Sequence, residues 1–258
     1  MTPEHVVRRL VSLLGEDPGP DEGVLHVASA WRRPSSGLTV LRIGDSTPRS
    51  RSDTFLLAAM RARADAVLTT GAILRAEPQA TLELPGPAET VRALAAWRRE
   101  VLGRRCPPIG LVLTRGRELD LGHPFFDGPG RRMVLTGKSQ AFVLRRSAPR
   151  RVKVVGDPAP GVRRAIDLLQ RGEGARTVLV EAGPSAAAAL YTSPAFVDEL
   201  VLALWEGRQL PPGVAGGELP RLDRLVALFA RRSPPVSVDE ASGRWTFQRF
   251  RRTSETLA

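Results

Sequence analysis

Cysteine, histidine, lysine and tyrosine are all scarce in this 258-residue chain, and each shortage removes a class of chemistry. A single cysteine, Cys106, excludes an intramolecular disulfide and any multi-cysteine zinc site. His5, His26 and His123 stand far apart without ligand spacing, so no resident metal is expected. Long apolar runs are missing as well: nothing approaches the roughly 18 uninterrupted residues of a membrane span. The opening MTPEHVVRRLVSLL interrupts its apolar positions with charge, unlike a secretory signal. The sequence therefore predicts a cytoplasmic chain with no membrane partner.

What is abundant is arginine. The formal net charge is +11, yet Lys138 and Lys153 are the lysines, and the positive charge comes in scattered pairs such as Arg8-Arg9, Arg98-Arg99, Arg145-Arg146 and Arg251-Arg252. Scattered pairs with much Ala, Gly and Pro read as compositional bias and solvated faces, with some binding of small anions, rather than as a nucleic-acid surface. With 42% hydrophobic residues the chain can bury a full core.

Strand-like and helix-like segments alternate. Segments 24–30, 37–43, 65–71, 108–114, 132–137, 151–155, 177–183 and 198–204 read as strands, most of them continuously apolar as buried parallel strands are. Helices are expected over 52–64, 87–103, 161–172 and 184–193. The helix over 87–103 opens with Pro87 in its first turn, buries Val91, Leu94, Ala95, Val101 and Leu102, and stops at Gly103. Residues 236–250 alternate around Ala-Ser-Gly and read as a hairpin, while 16–23, 82–89 and 207–220 read as loops. The fold class is α/β: a mixed, mainly parallel sheet with helices on both faces and a C-terminal antiparallel hairpin. It forms a single domain, in which 1–22 is a helical extension and 23–252 the core.

The stretch RTVLVEAGPSAAAAL (176–190) ends an apolar strand in Glu181, then turns through Gly183 and Pro184 into small residues. Ligands of open α/β sheets bind beyond the carboxyl ends of the strands, and such a turn offers backbone N–H groups to an anion such as a diphosphate. A tight turn with Glu181 merely facing solvent satisfies the same spacing.

Segment 178–204 resembles the reductase domain of the bifunctional riboflavin-biosynthesis deaminase/reductase family. The shared pattern is Val180-Glu181-Ala182-Gly183-Pro184, an alanine-rich helix, and Asp198-Glu199-Leu200 opening the next strand. RARADAVLTTGAILRAEP (61–78), GLVLTRGRELD (110–120) and WTFQRFRR (245–252) are similar to further family segments. The resemblance implies a dihydrofolate-reductase-like fold and NADPH-dependent reduction of 5-amino-6-(5-phosphoribosylamino)uracil, or the related diaminopyrimidine, from ribose to ribityl. It assigns Gly183, Pro184, Ser185 and Ala186 to the cofactor phosphates. Thr70, Gly71, Ile73, Glu77, Thr114 and Arg115 fall along the cofactor, Glu181 faces the substrate, and Arg61 meets the substrate phosphate. Glu181 is the candidate proton donor by position. Family members commonly form homodimers, and Trp245 with Phe247 would offer one face to a partner.

Three positions depart from the pattern. Trp31 stands where an aspartate follows Ser29, Ile73 or Ala72 replaces a threonine, and Glu83 replaces a second substrate arginine. The deaminase signature, His-x-Glu with Pro-Cys-x-x-Cys, does not occur. A reductase of another small carbonyl or imine compound, and a non-catalytic nucleotide-binding relative, therefore stay open beside the riboflavin-pathway reading.

Overall fold

The computed structural model describes residues 1–33, 37–42, 44–115 and 119–252. Ile43 of the predicted strand 37–43, residues 34–36, and residues 116–118 of the segment 110–120 lie outside the described residues.

In chain order, α1 (Pro3–Leu14) precedes β1 (Gly23–Arg32), β2 (Leu38–Leu41), α2 (Arg51–Arg63), β3 (Ala66–Thr70) and α3 (Gly71–Ala76). Next come α4 (Ala88–Glu100), β4 (Ile109–Leu113), β5 (Arg132–Gly137), α5 (Lys138–Ser147) and β6 (Val152–Asp157). After them, α6 (Val162–Asp167) continues into a π turn over Leu168–Gly172, β7 (Thr177–Val180) follows, and α7 (Pro184–Ala187) tightens into a 3-10 turn over Ala188–Tyr191. The chain closes with β8 (Glu199–Trp205), β9 (Ala215–Leu219), α8 (Leu222–Leu228), β10 (Arg231–Arg232), β11 (Val236–Glu240) and β12 (Gly243–Arg251).

The central sheet runs in the order β10-β12-β8-β1-β7-β3-β4-β5-β6. From β8 to β6 every neighbouring pair is parallel. β12 is antiparallel to β8, and β10 and β11 are antiparallel to β12. At the far end of β1 a short arm folds back, β2 on β1 and β9 on β2. Strand alternation sends Leu25, Val67, Val112, Leu179 and Val201 into one core beneath α1, α2 and α4. Val24, Leu68, Leu111, Val178 and Val180 enter the other core, against α6 and α7. The mixed sheet covered on both faces is the one expected.

Several local expectations are corrected. The helix expected over 87–103 is Ala88–Glu100; Pro87 is its N-cap and Gly103, at φ +66°, reverses the chain after it. Its buried stripe is Thr90, Ala93, Leu94 and Trp97, whereas Val101 is exposed, so the predicted phase was rotated by about one residue. Segment 207–220, expected as a loop, contains β9, whose Gly216 and Gly217 carry no period to read. α5 and α8 were not foreseen, and the turn after β3 is the short helix α3. Trp245 and Phe247 do share a face, but they are 1% and 0% exposed in this chain's own core and are closed to a partner.

α2 sets the depth of the site. Ser50 Oγ accepts from Asp53 N at 2.9 Å, and the Glu240 carboxylate, arriving from β11, accepts from Arg51 N and Ser52 N at 2.7 and 3.0 Å. Asp53 in the first turn and Arg61 and Arg63 in the last suit the helix dipole. The helix thus runs down the sheet with a carboxylate near its top and arginines near its foot.

Candidate active site

The sheet is not continuous at its carboxyl edge. β7 stops at Val180, which lies opposite His26 of β1 and Leu68 of β3. β1 continues to Arg32 and β3 to Thr70, so an opening is left between them above β7. Glu181 N still donates to Leu68 O at 2.8 Å, and the chain then leaves the sheet through Ala182 and Gly183. The strand order reverses here too, since the connection from β1 leads to β3 on one side and that from β7 to β8 on the other. Such a switch point is where open α/β sheets take ligands.

Glu181 follows Leu179 on the α2 side of the sheet and meets Arg61 there. Nε and Nη2 of Arg61 donate to Oε1 and Oε2 of Glu181 at 2.7 and 2.6 Å, with the two side chains 14% and 17% exposed. Nη1 donates to the backbone oxygens of Thr81 and Glu83 at 3.2 and 2.7 Å. Burial is the largest single influence and acts to lower the guanidinium pKa, but the charge and hydrogen bonds of Glu181 and the charge of Glu77 together raise it. Glu77 lies within electrostatic reach of both partners. Burial first, and then repulsion from Glu181, push its carboxyl above the ordinary range against the pull of Arg61 and His123. His123 itself is a fastener: Nε2 donates to Leu74 O and Glu77 O at 3.2 and 3.0 Å, while Nδ1 accepts from Phe125 N at 3.1 Å.

Higher in the opening is a carboxylate that the sequence reading did not single out. Ser29 Oγ, three residues past His26 on β1, donates to both oxygens of Asp53 at 2.9 and 2.8 Å. Burial pushes the Asp53 carboxyl up to about 6, with the Ser29 hydrogen bond opposing and Glu240 assisting. The signal was available in part: Ser50-x-x-Asp53 is a helix start, although nothing in the sequence links it to Ser29.

Of the residues expected along the cofactor, Glu77 is coupled instead to Glu181 and Arg61, while the others flank the other side of the opening. Thr70 caps α3, its Oγ1 accepting from Ile73 N at 3.3 Å. Gly71 allows β3 and β4 to close up, because a Cβ there would stand 3.1 Å from Thr114 Oγ1. Arg115 is exposed just beyond β4. Gly183 faces Ile73: a Cβ on the glycine would come within 3.9 Å of Ile73 Cδ1 and meet nothing else within 4 Å. Pro184 is braced by the arm, since a Cβ on Gly217 would stand 2.5 Å from its Cγ. Ser185 is exposed. The N–H groups of Ala186 and Ala187 both turn back onto Gly183 O at 3.0 Å, so the short α7 offers an anion less than a long helix would.

Two of the three departures have local explanations. Trp31 Nε1 donates to Gly207 O at 2.8 Å and ties β1 to the chain leaving β8. The Glu83 side chain is exposed and its backbone oxygen, not its carboxylate, serves the site by holding Arg61.

Neither a protein-family model nor a curated protein matches the chain. Solved structures do. RibD of Acinetobacter baumannii aligns at a TM-score of 0.58 and 16% identity over 90% of this chain, which spans 58% of that one. A pyrimidine reductase-like protein of Corynebacterium diphtheriae aligns at 0.60 and 17%, covering 99% of this chain and 100% of its own. The riboflavin biosynthesis reductase Rib7 of Saccharomyces cerevisiae aligns at 0.55 and 10%, covering 95% and 98%. The chain has the fold of these pyrimidine reductases. Within that fold, the Glu181 turn, Arg61, Thr70, Gly71, Ile73 and Thr114 lie around one opening. Among the described residues no cluster of His, Cys, Asp or Glu is placed to hold a metal ion, and no helix is long and apolar enough to cross a membrane.

Proposed function

We propose that the chain is an NADPH-dependent reductase of a small carbonyl or imine compound, with the ribosylaminopyrimidine of riboflavin synthesis as its reference substrate. The observation that carries this reading is the opening above β7, with Gly183 and Ile73 facing each other on one side and the Arg61–Glu181 pair on the other.

Gly183 supports a cofactor at this place. Its φ of −59° suits any residue, and a Cβ would meet only Ile73 at ordinary contact distance, so neither backbone nor packing within the chain requires glycine. Close approach of backbone to a diphosphate does require it. Gly183 and Ser185 would hold the diphosphate, and the exposed Arg115 beside Thr114 has the fork that a 2′-phosphate fits. Bound there, the nicotinamide supplies a hydride. The protein's share is to orient the acceptor carbon, exclude water and hold a proton. Asp53 suits the last task better than Glu181: its carboxyl, at about 6, exchanges a proton near neutrality, whereas Glu181 is engaged as an acceptor by Arg61.

The engagement of Arg61 favours a substrate other than the phosphate ester. A homodimer in the cytoplasm remains part of the proposal, but it must use a surface other than the buried Trp245 and Phe247, and sedimentation of the full chain checks it. The main test is calorimetric titration with NADPH and NADH, followed by NADPH oxidation with the pyrimidine ester and its unphosphorylated riboside. NADPH binding tighter than NADH, with turnover of either compound, is expected. Absence of NADPH binding would reject the reading, and binding without turnover on any compound would favour a nucleotide-binding relative.

A further inference from the structure

In a phosphate site an arginine presents free N–H groups to the ligand, and here Arg61 does not. A guanidinium carries five N–H bonds. Those of Arg61 already reach Glu181 Oε1, Glu181 Oε2, Thr81 O and Glu83 O, at 2.7, 2.6, 3.2 and 2.7 Å. The Glu181 carboxylate cancels its charge at contact distance. A phosphate approaching the remaining N–H would meet that carboxylate and the charge of Glu77, which is within electrostatic reach of the pair. Among the described residues no cation pairs with Glu77: Arg61 is committed to Glu181, and both ring nitrogens of His123 are engaged by backbone groups. No hydrogen bond from a described residue satisfies the Glu77 carboxylate. The α2 side of the opening therefore offers acceptors in excess of donors, the reverse of a phosphate cradle.

Resting on the reductase reading of this opening, we propose that its substrate is an unphosphorylated ring compound bearing N–H donors, amino, amidine or protonated ring nitrogen, accepted by the outer lone pairs of Glu181, with the Glu77 charge adding to the negative field there. Arg61 is then a positioning residue that fixes the Glu181 carboxylate and seats the chain at Thr81 and Glu83.

The test is direct titration calorimetry of the full chain, with and without NADPH, using the aminopyrimidine riboside and its 5′-phosphate ester, with inorganic phosphate as competitor. The riboside should bind at least about tenfold more tightly than the ester, and phosphate should not displace it; a hydrogen bond to a charged acceptor is worth about that factor or more. Glu77→Gln, which keeps the shape, should narrow the gap from both sides by weakening the riboside and strengthening the ester. Arg61→Gln should weaken both to a similar degree, because it loosens Glu181 rather than removing a phosphate contact. An ester that binds more tightly than the riboside would overturn the proposal, as would an Arg61→Gln variant that loses the ester alone. Failure of NADPH to bind would reject the reductase reading separately, while the comparison on cofactor-free protein would still decide the substrate class.

Discussion

Arginine and carboxylate meet at both edges of the parallel sheet, with opposite balance. At the amino edge Glu199 lies between Arg63 and Arg249: both arginines span its two oxygens at 2.8 to 3.0 Å, and neither is more than 1% exposed. Arg249 continues to Asp21 and Glu16, and Arg251 joins the same two carboxylates, so three cations face three anions. Burial alone would raise the Glu199 carboxyl, yet Arg63 and Arg249 overcome it and hold it at about 2. At the carboxyl edge Arg61 satisfies Glu181, but Glu77 and Asp53 are left with carboxyls pushed upward. The first arrangement is balanced in charge and ties the foot of α2 to β8, β12 and the chain before β1, although Asp21, Glu199 and Arg251 also border a surface cavity. The second leaves the Glu77 carboxylate unpaired among the described residues beside a gap in the sheet, and unbalanced charge of that kind is what marks ligand sites against structural ion pairs.

The sharpest way to break this contrast is at Glu199. Glu199→Gln leaves two buried guanidiniums short of charge and should cost about 3–5 kcal/mol in urea unfolding. Its lowered pKa means that the wild-type contribution is present above the ordinary glutamate range and is lost as pH falls towards 2. A loss below about 1 kcal/mol would erase the distinction.

Arg61→Gln should be milder, on the order of 1–2 kcal/mol, because the Arg61–Glu181 pair is partly exposed and its loss leaves no second buried arginine uncompensated. Substrate binding should suffer more than folding. If stability falls as far as in Glu199→Gln, the Arg61–Glu181 pair is structural and the contrast collapses.

Asp53→Asn should act in the opposite direction. A carboxyl raised to about 6 contributes stability fully present below about 3.8 and lost as pH rises through 6, so wild type should weaken between those values. The amide removes that slope and should raise stability above pH 6 by about 1–3 kcal/mol. If Asp53 is the proton donor, turnover falls while NADPH affinity holds. Thermal melts across this pH range, paired with rate measurements, check both parts. The smallest effect is expected at Glu83→Arg, whose side chain is exposed: within about 0.5 kcal/mol in stability.

How much of this was legible depends on where the information lay. The parallel strands were readable because burial on both faces makes them continuous apolar runs, as in Ala66–Thr70 and Thr177–Val180. α5 was hidden because Phe142 and Val143 are exposed on it and blur its stripe. β9 was hidden because glycine has no side chain to alternate. In the site, Glu181 stood out through the turn that follows it. Its partner did not, since Arg61 lies 120 residues away and both look like phosphate or substrate residues until their mutual fork is seen. Asp53 looked like part of a helix start, and only its contact with Ser29, from a different element, marks it as a member of the site.

The central claim is that the opening above β7 holds a dinucleotide against Gly183. Calorimetric titration of NADPH into wild type and Gly183→Val tests it most directly, with circular dichroism and urea unfolding showing that the variant folds. The backbone at Gly183 is not one that only glycine adopts and the nearest side chain would be in ordinary contact with a Cβ, so stability should change by less than about 1 kcal/mol. NADPH affinity should drop at least about tenfold, as one missing charged hydrogen bond already implies. Equal affinity in the two proteins would place the cofactor elsewhere and contradict the account.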